Sequence, residues 1–368
     1  MVRRKQSWRV CGLEEGQCFL AEERKSLLAS AGIAGLLFAG CCAQAATYIQ
    51  VPPVPGSVSM IAFDITNNNT VIGSYHDSAG VEHGFIGPLD GSNYKTIDFG
   101  GNAIGTEPRG IGYDGAIVGF APTSGFILGQ EFYRKPNGQF LTFKKHGAPL
   151  DGVVQGINGF GTSVGDYYNA DGIRMGYFGV TGSYKRDFDL RIDGYLQNSP
   201  RGLSHDRGID GYFIDSDGAE HGFIQYNGNV QVIDYPDNGA VLTVLEAFNN
   251  AGEGPGQWND TAGNPHAFVL HTRNNTFTTL DPGDGSTFQQ AWGENAYGLV
   301  TLSTSNGTSY VYCPFNDANK CPKGGAVKHV PDRNIHVASG TFLHYDRQGR
   351  TGKHLPNVNK LSRKGAVQ

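Results

Sequence analysis

Apolar residues along this chain come in short runs rich in β-branched and aromatic types, broken by Gly, Asn and Asp. Val71-Ile72-Gly73-Ser74-Tyr75, Gly84-Phe85-Ile86 and Thr96-Ile97-Asp98 are examples from one stretch. Such runs fit a pleated, half-buried surface, and the residues between them supply turn geometry. Beyond residue 45 no segment repeats its apolar positions at the three-and-four spacing of an amphipathic helix. The pattern predicts strands joined by tight turns.

The runs recur. A Gly preceded by Val71-Ile72, Ile117-Val118, Ser163-Val164 or Ile209-Asp210 appears at Gly73, Gly119, Gly165 and Gly211, each 46 residues apart, and steps of 45 then reach Gly256 and Thr301. Nine positions before these anchors stand Asp64, Gly110, Gly156, Gly202, Ala247 and Trp292, followed by Ile65, Ile111, Ile157, Leu203, Phe248 and Gly293. After the anchors come His83-Gly84-Phe85, Met175-Gly176-Tyr177, His221-Gly222-Phe223 and His266-Ala267-Phe268. Each unit therefore holds four strands, and four strands in 40 to 50 residues is the period of a propeller blade. The expected fold is all-β: a six-bladed β-propeller of four-stranded blades over residues 46–322. The sixth unit supplies only three strands, while Thr47-Tyr48-Ile49-Gln50-Val51-Pro52 resembles the fourth strand Val232-Ile233-Asp234-Tyr235-Pro236. The N-terminal strand is expected to complete the last blade and close the ring. Seven blades is the alternative, with the tail after Gly325 forming the extra one.

Units such as Phe63-Asp64-Ile65-Thr66-Asn67-Asn68-Asn69-Thr70-Val71-Ile72-Gly73-Ser74-Tyr75, continuing to His83-Gly84-Phe85, resemble the bacterial HAF extracellular repeat. That family's pattern runs GINxxGxIVGxY, HGF and a TID-like strand. The resemblance covers about residues 47 to 312 and is weakest in the second and sixth copies. It implies an exported bacterial protein with a propeller fold, and it transfers no reaction.

Arg24 and Lys25 precede an apolar run from Leu27 to Gly40 and the small-x-small motif Ala43-Gln44-Ala45, which predicts a secretory signal peptide over residues 1–45. The mature chain is then secreted, periplasmic or at the cell surface, without a transmembrane segment. Phe38-Ala39-Gly40-Cys41 also resembles a lipoprotein signal, which makes a lipid anchor through Cys41 the alternative. Of six cysteines, only Cys313 and Cys321 remain after cleavage, and an exported pair eight apart predicts a disulfide.

Composition narrows the classes. With 54 Gly, 17 Pro and 17% charged residues, the chain is neither a helical bundle nor disordered throughout. A net charge of -5 argues against nucleic acid as a partner. From Lys323 nine Lys or Arg face two Asp, so residues 323–368 form a basic tail, expected to be extended, beside an acidic body. The tail suggests an anionic cell-surface polymer as partner.

No motif fixes a reaction, and no metal or cofactor is expected. Gly161-Thr162-Ser163-Val164-Gly165 matches the hydrolase elbow pattern, yet Ser163 falls inside a strand by register. His83, His221 and His266 share one blade position, so they cannot converge and are expected to hold turns. Asp77, Asp171, Asp217 and Asp260 lie in hairpin loops without the spaced carboxylates of an EF-hand. Trp258 is in register with Tyr75, Tyr167 and Phe213 and reads as core. Trp292 occupies a Gly, Ala or Asp position, so its indole is read as a stacking surface for a ligand.

Residues that break the repeat are the better functional candidates. Ten before the anchor stand Phe63, Arg109, Gln155, Arg201, Glu246 and Ala291. On an innermost strand, Arg109, Gln155, Arg201 and Glu246 would gather at a channel mouth, joined by His205, Trp292 and Glu294, and bind an anionic or hydroxyl-rich ligand. The expected function is a monomeric, non-catalytic binding module for a glycan or a protein partner. A polysaccharide lyase or glycoside hydrolase on the same scaffold, using Arg109, Arg201, Glu246 or Glu294, is the alternative.

Overall fold

The computed structural model describes residues 9–11, 18–20 and 46–345, apart from 205–207, 238, 288, 316–320, 331–336 and 341. The apolar run at 27–40, the Ala45 boundary and His205 lie outside the described residues. The chain divides into Met1–Cys42 and Ala43–Gln368. In the first unit Arg9–Cys11 pairs antiparallel with Cys18–Leu20. In the second, every regular element among the described residues is a strand, and no described helix is long and apolar enough to cross a membrane.

Six four-stranded antiparallel groups follow one another, the fourth and fifth within one larger sheet, with the short pair Lys144–Lys145 and Ala148–Pro149 between the second and third. The first is built from Ser59–Ile65, Thr70–His76, Glu82–Pro88 and Lys95–Ile97, in chain order. The second holds Glu107–Ile111, Ile117–Ala121, Gln130–Arg134 and Phe140–Thr142, and the third Gly152–Ile157, Thr162–Tyr168, Arg174–Val180 and Ser183–Asp187. Gln197–Leu203, Ile209–Ile214, Glu220–Tyr226 and Asn229–Ile233 form the fourth; a single parallel bridge, Glu220 to Leu242, links it to the fifth, made of Leu242–Leu245, Glu253–Asn259, Pro265–His271 and Thr276–Leu280. The sixth takes Gln289–Glu294, Val300–Thr304 and Ser309–Cys313, and its fourth strand is Ala46–Gln50, with Val311 opposite Ile49 and Tyr312 opposite Tyr48.

One close approach explains the repeating Gly. In the first four sheets the innermost strand carries a β-bulge, at Ala62/Asp64, Pro108/Gly110, Val154/Gly156 and Pro200/Gly202. The strand carbonyls beside it press onto the second strand, where a Cβ at Gly73, Gly119, Gly165, Gly211 or Gly256 would overlap the carbonyl oxygens of Ile61, Glu107, Val153, Ser199 or Val244. Only Gly fits this site in five copies. In the sixth, Leu302 faces Ala291 and the irregularity widens to Ala291/Glu294.

Apolar clusters join successive sheets. Ile72 and Ile97 pack with Ile111, Ile117 and Phe132; Val118 and Tyr133 with Val154 and Tyr177; Val164 with Ile209 and Phe223. Leu280 and Val269 pack with Ala291 and Leu302, and Leu299 and Val311 with Met60, Ala62 and Val71. The sixth sheet thus lies against the first, and Ala62 and Phe63 are tied to it by hydrogen bonds with Ser309 and Thr301. The disulfide Cys313–Cys321 is formed, and both sulfur-bearing residues pack in that last cluster.

The hairpin loops are held by side chains. Asp77, Asn169, Asp215 and Asp260 each accept two backbone N–H bonds across their turns, so the Asp171 and Asp217 positions inside the turns are not the ones that organise them. His83 and His221 bridge such a carboxylate to the Asp98 or Asp234 of the next strand, and stack on Tyr75 and Phe213. Trp258 is buried, stacked between Tyr235 and His266.

The tail adds strands to existing sheets. Val327–Val330 pairs with Ala46–Gln50, Val337–Ser339 with Thr276–Leu280, and Leu343–Tyr345 with Asn229–Ile233. It covers in turn the outer edges of the sixth, fifth and fourth sheets.

Tyr48 measures how much the first strand matters. It is fully buried, stacks near Tyr312 and accepts the Asp281 amide at 2.9 Å. Tyr48→Ala is expected to cost about 3–5 kcal/mol, read as a lower denaturant midpoint. Tyr48→Phe, which removes the hydroxyl and leaves the Asp281 amide without its acceptor, should cost about 1–2 kcal/mol.

Candidate functional site

The bulges decide which side chains meet. An extra residue in a strand turns its side chain out of the normal alternation. Phe63, Arg109, Gln155 and Arg201 are those extra residues; Glu246 and Trp292 follow Leu245 and Ala291, which pair with Gly256 and Leu302. All six line one cavity of about 90 Å³, together with Asp64 and Glu294. His205 lies outside the described residues.

This corrects the register read from sequence for the sixth copy. The anchor there is Leu302, not Thr301, so the residue in line with Arg109 and Glu246 is Trp292 and not Ala291, which is buried. Trp292 therefore occupies the bulge position of its own repeat, and its size is no anomaly at a small-residue site. Nor is the indole a free stacking surface: it meets Phe63 edge-on at 5.1 Å and donates Nε1–H to Ser303 at 2.9 Å.

Charges in the ring are arranged in pairs. The Arg109 guanidinium lies over Phe63 at 4.3 Å and Trp292 at 5.1 Å, and reaches the Glu107 carboxylate at 2.5 Å. Arg201 approaches Glu246 at 3.4 Å and the Tyr212 ring at 5.2 Å. Gln155 donates to Asp166, which also receives Ser199 and faces Arg174 at 3.0 Å. Among the described residues the Nε of both Arg109 and Arg201 is buried without a hydrogen-bond acceptor.

Burial governs the acids. It pushes Asp64 up to about 7, against the amides of Ile111 and Ile65 that its carboxyl accepts. Glu107 is pushed by burial to about 6, with Arg109 pulling the other way. Glu246 is raised by burial and drawn back by Arg201 and Arg109. Glu294 and Asp210 lie well above the carboxylate range, first through burial, then through neighbouring acids. Burial would lower the Arg201 pKa, but Glu246 and Tyr212 outweigh it and hold the guanidinium charged. The site thus offers two arginines beside buried carboxyls, two of which, Glu107 and Glu246, pair with them.

Asp64, Glu107, Asp166 and Asp210 belong to this network and were not singled out from sequence. Asp210 carried a signal: its counterparts in the first three sheets are Ile72, Val118 and Val164. Glu107 did too, as an acid two residues before Arg109 on one strand. Ser163 is buried inside Thr162–Tyr168, opposite Gly179, with no turn at the residue. Among the described residues no group of three His, Cys, Asp or Glu stands together as metal ligands.

No protein-family model matches the chain, and no curated protein matches it. Among solved structures, AofleA from Arthrobotrys oligospora is similar at 12% identity and a TM-score of 0.47, over 81% of this chain and 92% of its own. Streptogramin B lyase matches at 12% identity and 0.42, over 79% and 96%. A variant of the Aleuria aurantia lectin in complex with Fucα1-6GlcNAc matches at 10% identity and 0.42, over 76% and 98%. Each likeness is distant.

Asp64 gives a pH test with a definite sign. A carboxyl that holds its proton to about pH 7 when folded but loses it near 4 when unfolded makes stability fall as pH rises through that window. The slope from this one group reaches about 1.4 kcal/mol per pH unit. Asp64→Asn should flatten the wild-type minus variant difference above pH 7 and show the wild type relatively more stable toward pH 4, in denaturant titrations at several pH values.

Proposed function

We propose that the chain is an exported, HAF-like six-bladed propeller, closed by its N-terminal strand, that binds saccharides across its channel mouth. The sharing of one sheet between Ala46–Gln50 and Ser309–Cys313, and the packing of that sheet on the first, support closure. The Cys313–Cys321 bond fits an oxidising compartment.

The observation that carries the binding reading is the bulge position itself. A framework favours the same residue there from copy to copy, as at the paired Gly, which holds in five of the six; instead six sheets offer six side chains of which only the two arginines repeat. The cavity is narrow, so a ligand lies across the mouth and sends hydroxyl or carboxylate groups inward to the free Nε–H of Arg109 and Arg201. Phe63 and Trp292 hold the Arg109 plane in place, which limits the entropy lost on binding.

Binding is favoured over glycoside hydrolysis by the commitments of the acids. Glu246 is bound to Arg201, and Glu294 is buried with one oxygen on Asn249, so neither stands ready as an exposed nucleophile or base.

A screen of the full chain against neutral and acidic oligosaccharides, with product analysis by mass, tests this. Expected is binding without turnover, weakened at least tenfold by Arg109→Ala with Arg201→Ala in a protein that keeps its far-ultraviolet spectrum. Turnover that survives those changes and is lost in Glu246→Gln would establish the enzyme instead.

A further inference from the structure

A larger cavity, about 830 Å³, opens between the third and fourth sheets, away from the ring of bulge residues. Its size is that of sites for small ligands, which run roughly 300–1,000 Å³. The apolar wall comes from Phe178 on the third sheet and Phe188 on the strand-to-strand connection, whose rings meet edge-on at 5.5 Å. Phe188 is fixed from behind by Phe223, stacked at 5.7 Å, so the wall is rigid.

Two further features point to a ligand. Lys185, Arg186 and Arg191 line the opening and are exposed, against the single carboxylate of Asp189, which sits 3.4 Å from Arg191. The Arg186 guanidinium lies over Phe178 at 4.2 Å, which holds its charge at the cavity's edge. Inside, Gln225 is 6% exposed; its amide nitrogen donates to the Asp189 carbonyl at 3.3 Å, while its Oε1 has no donor among the described residues. A buried polar atom left without a partner is destabilising. Nor does the framework demand it: the first and third sheets have Gly87 and Gly179 at this register, and the fifth has Leu270.

We propose that this cavity is a second site, for an acidic saccharide such as a uronic acid unit. The sugar ring lies against the Phe178 and Arg186 pair, with Phe188 closing the wall behind them, a ring hydroxyl donates to Gln225 Oε1, and the carboxylate meets Lys185, Arg186 and Arg191. Neither the wall nor the acceptor is shared with the channel mouth, so the site stands whether or not the channel binds.

The test is calorimetry of the full chain with trigalacturonate and, as a neutral probe, cellotriose. Trigalacturonate is expected to bind, more weakly as salt rises. Gln225→Leu, which installs the residue of the fifth sheet, should weaken it at least tenfold. Lys185→Gln with Arg186→Gln should weaken it and lower the salt dependence, while Arg109→Ala with Arg201→Ala should leave this event unchanged. Protein footprinting with the same ligand should protect the Lys185 region. No binding at millimolar trigalacturonate, or binding that persists in both groove variants, overturns the proposal. So does binding removed only by the Arg109 and Arg201 changes, which would assign the acid sugar to the channel. Equal affinity for cellotriose overturns the charge argument and with it the ligand class.

Discussion

The repeat is built on one steric contact: the first strand of a sheet presses a carbonyl onto the second strand, where only Gly leaves room. Ile61 over Gly73, Glu107 over Gly119, Val153 over Gly165, Ser199 over Gly211 and Val244 over Gly256 are the same contact five times. It fixes the Gly spacing along the chain, and it sets the register of each strand pair. In the first four sheets a bulge also turns one side chain away from the packed faces, toward the common cavity. Framework and candidate site are therefore two sides of one backbone feature, which is why the conserved spacing of glycines and the variability of their neighbours occur together.

That coupling explains how much the sequence revealed. The Gly ladder is strictly local chemistry, so strand number and order could be read from Val71-Ile72-Gly73 and its copies. The pairing of Ala46–Gln50 with Ser309–Cys313 was also legible, because a strand similar to Val232-Ile233-Asp234 stood alone at the start of the repeats. The sixth copy misled for the same reason that the others informed: Leu302 replaces Gly, the bulge takes in both Trp292 and Gly293, and spacing alone places the anchor one residue early. A slip of one residue in a strand exchanges its two faces. It turned Trp292 from an ordinary member of the bulge series into an apparent exception.

What could not be read was the pairing between units. Whether Arg201 meets Glu246 from the next sheet depends on side-chain directions across a cavity rather than on spacing. The tail strands were invisible for a related reason. Val337–Ser339 and Leu343–Tyr345 are short and follow no repeat, and they become strands by hydrogen bonding to edges already present. An edge offers unpaired N–H and C=O groups to any extended segment that reaches it. Composition sets the extended tendency, and the sheet supplies the partner.

The same edge logic divides the molecule. The fourth, fifth and sixth sheets have their outer strands covered by the tail, while Lys95–Ile97, Phe140–Thr142 and Ser183–Asp187 of the first three have no tail strand beside them among the described residues. Ser183–Asp187 is charged along its length, with Lys185, Arg186 and Asp187 exposed, a composition that discourages strand addition. Lys185 and Arg186 stand at the opening of the cavity between the third and fourth sheets. A cation on an uncovered edge thus serves two ends at once, keeping other chains from pairing with the sheet and setting the sign of the field that a small ligand meets on entering.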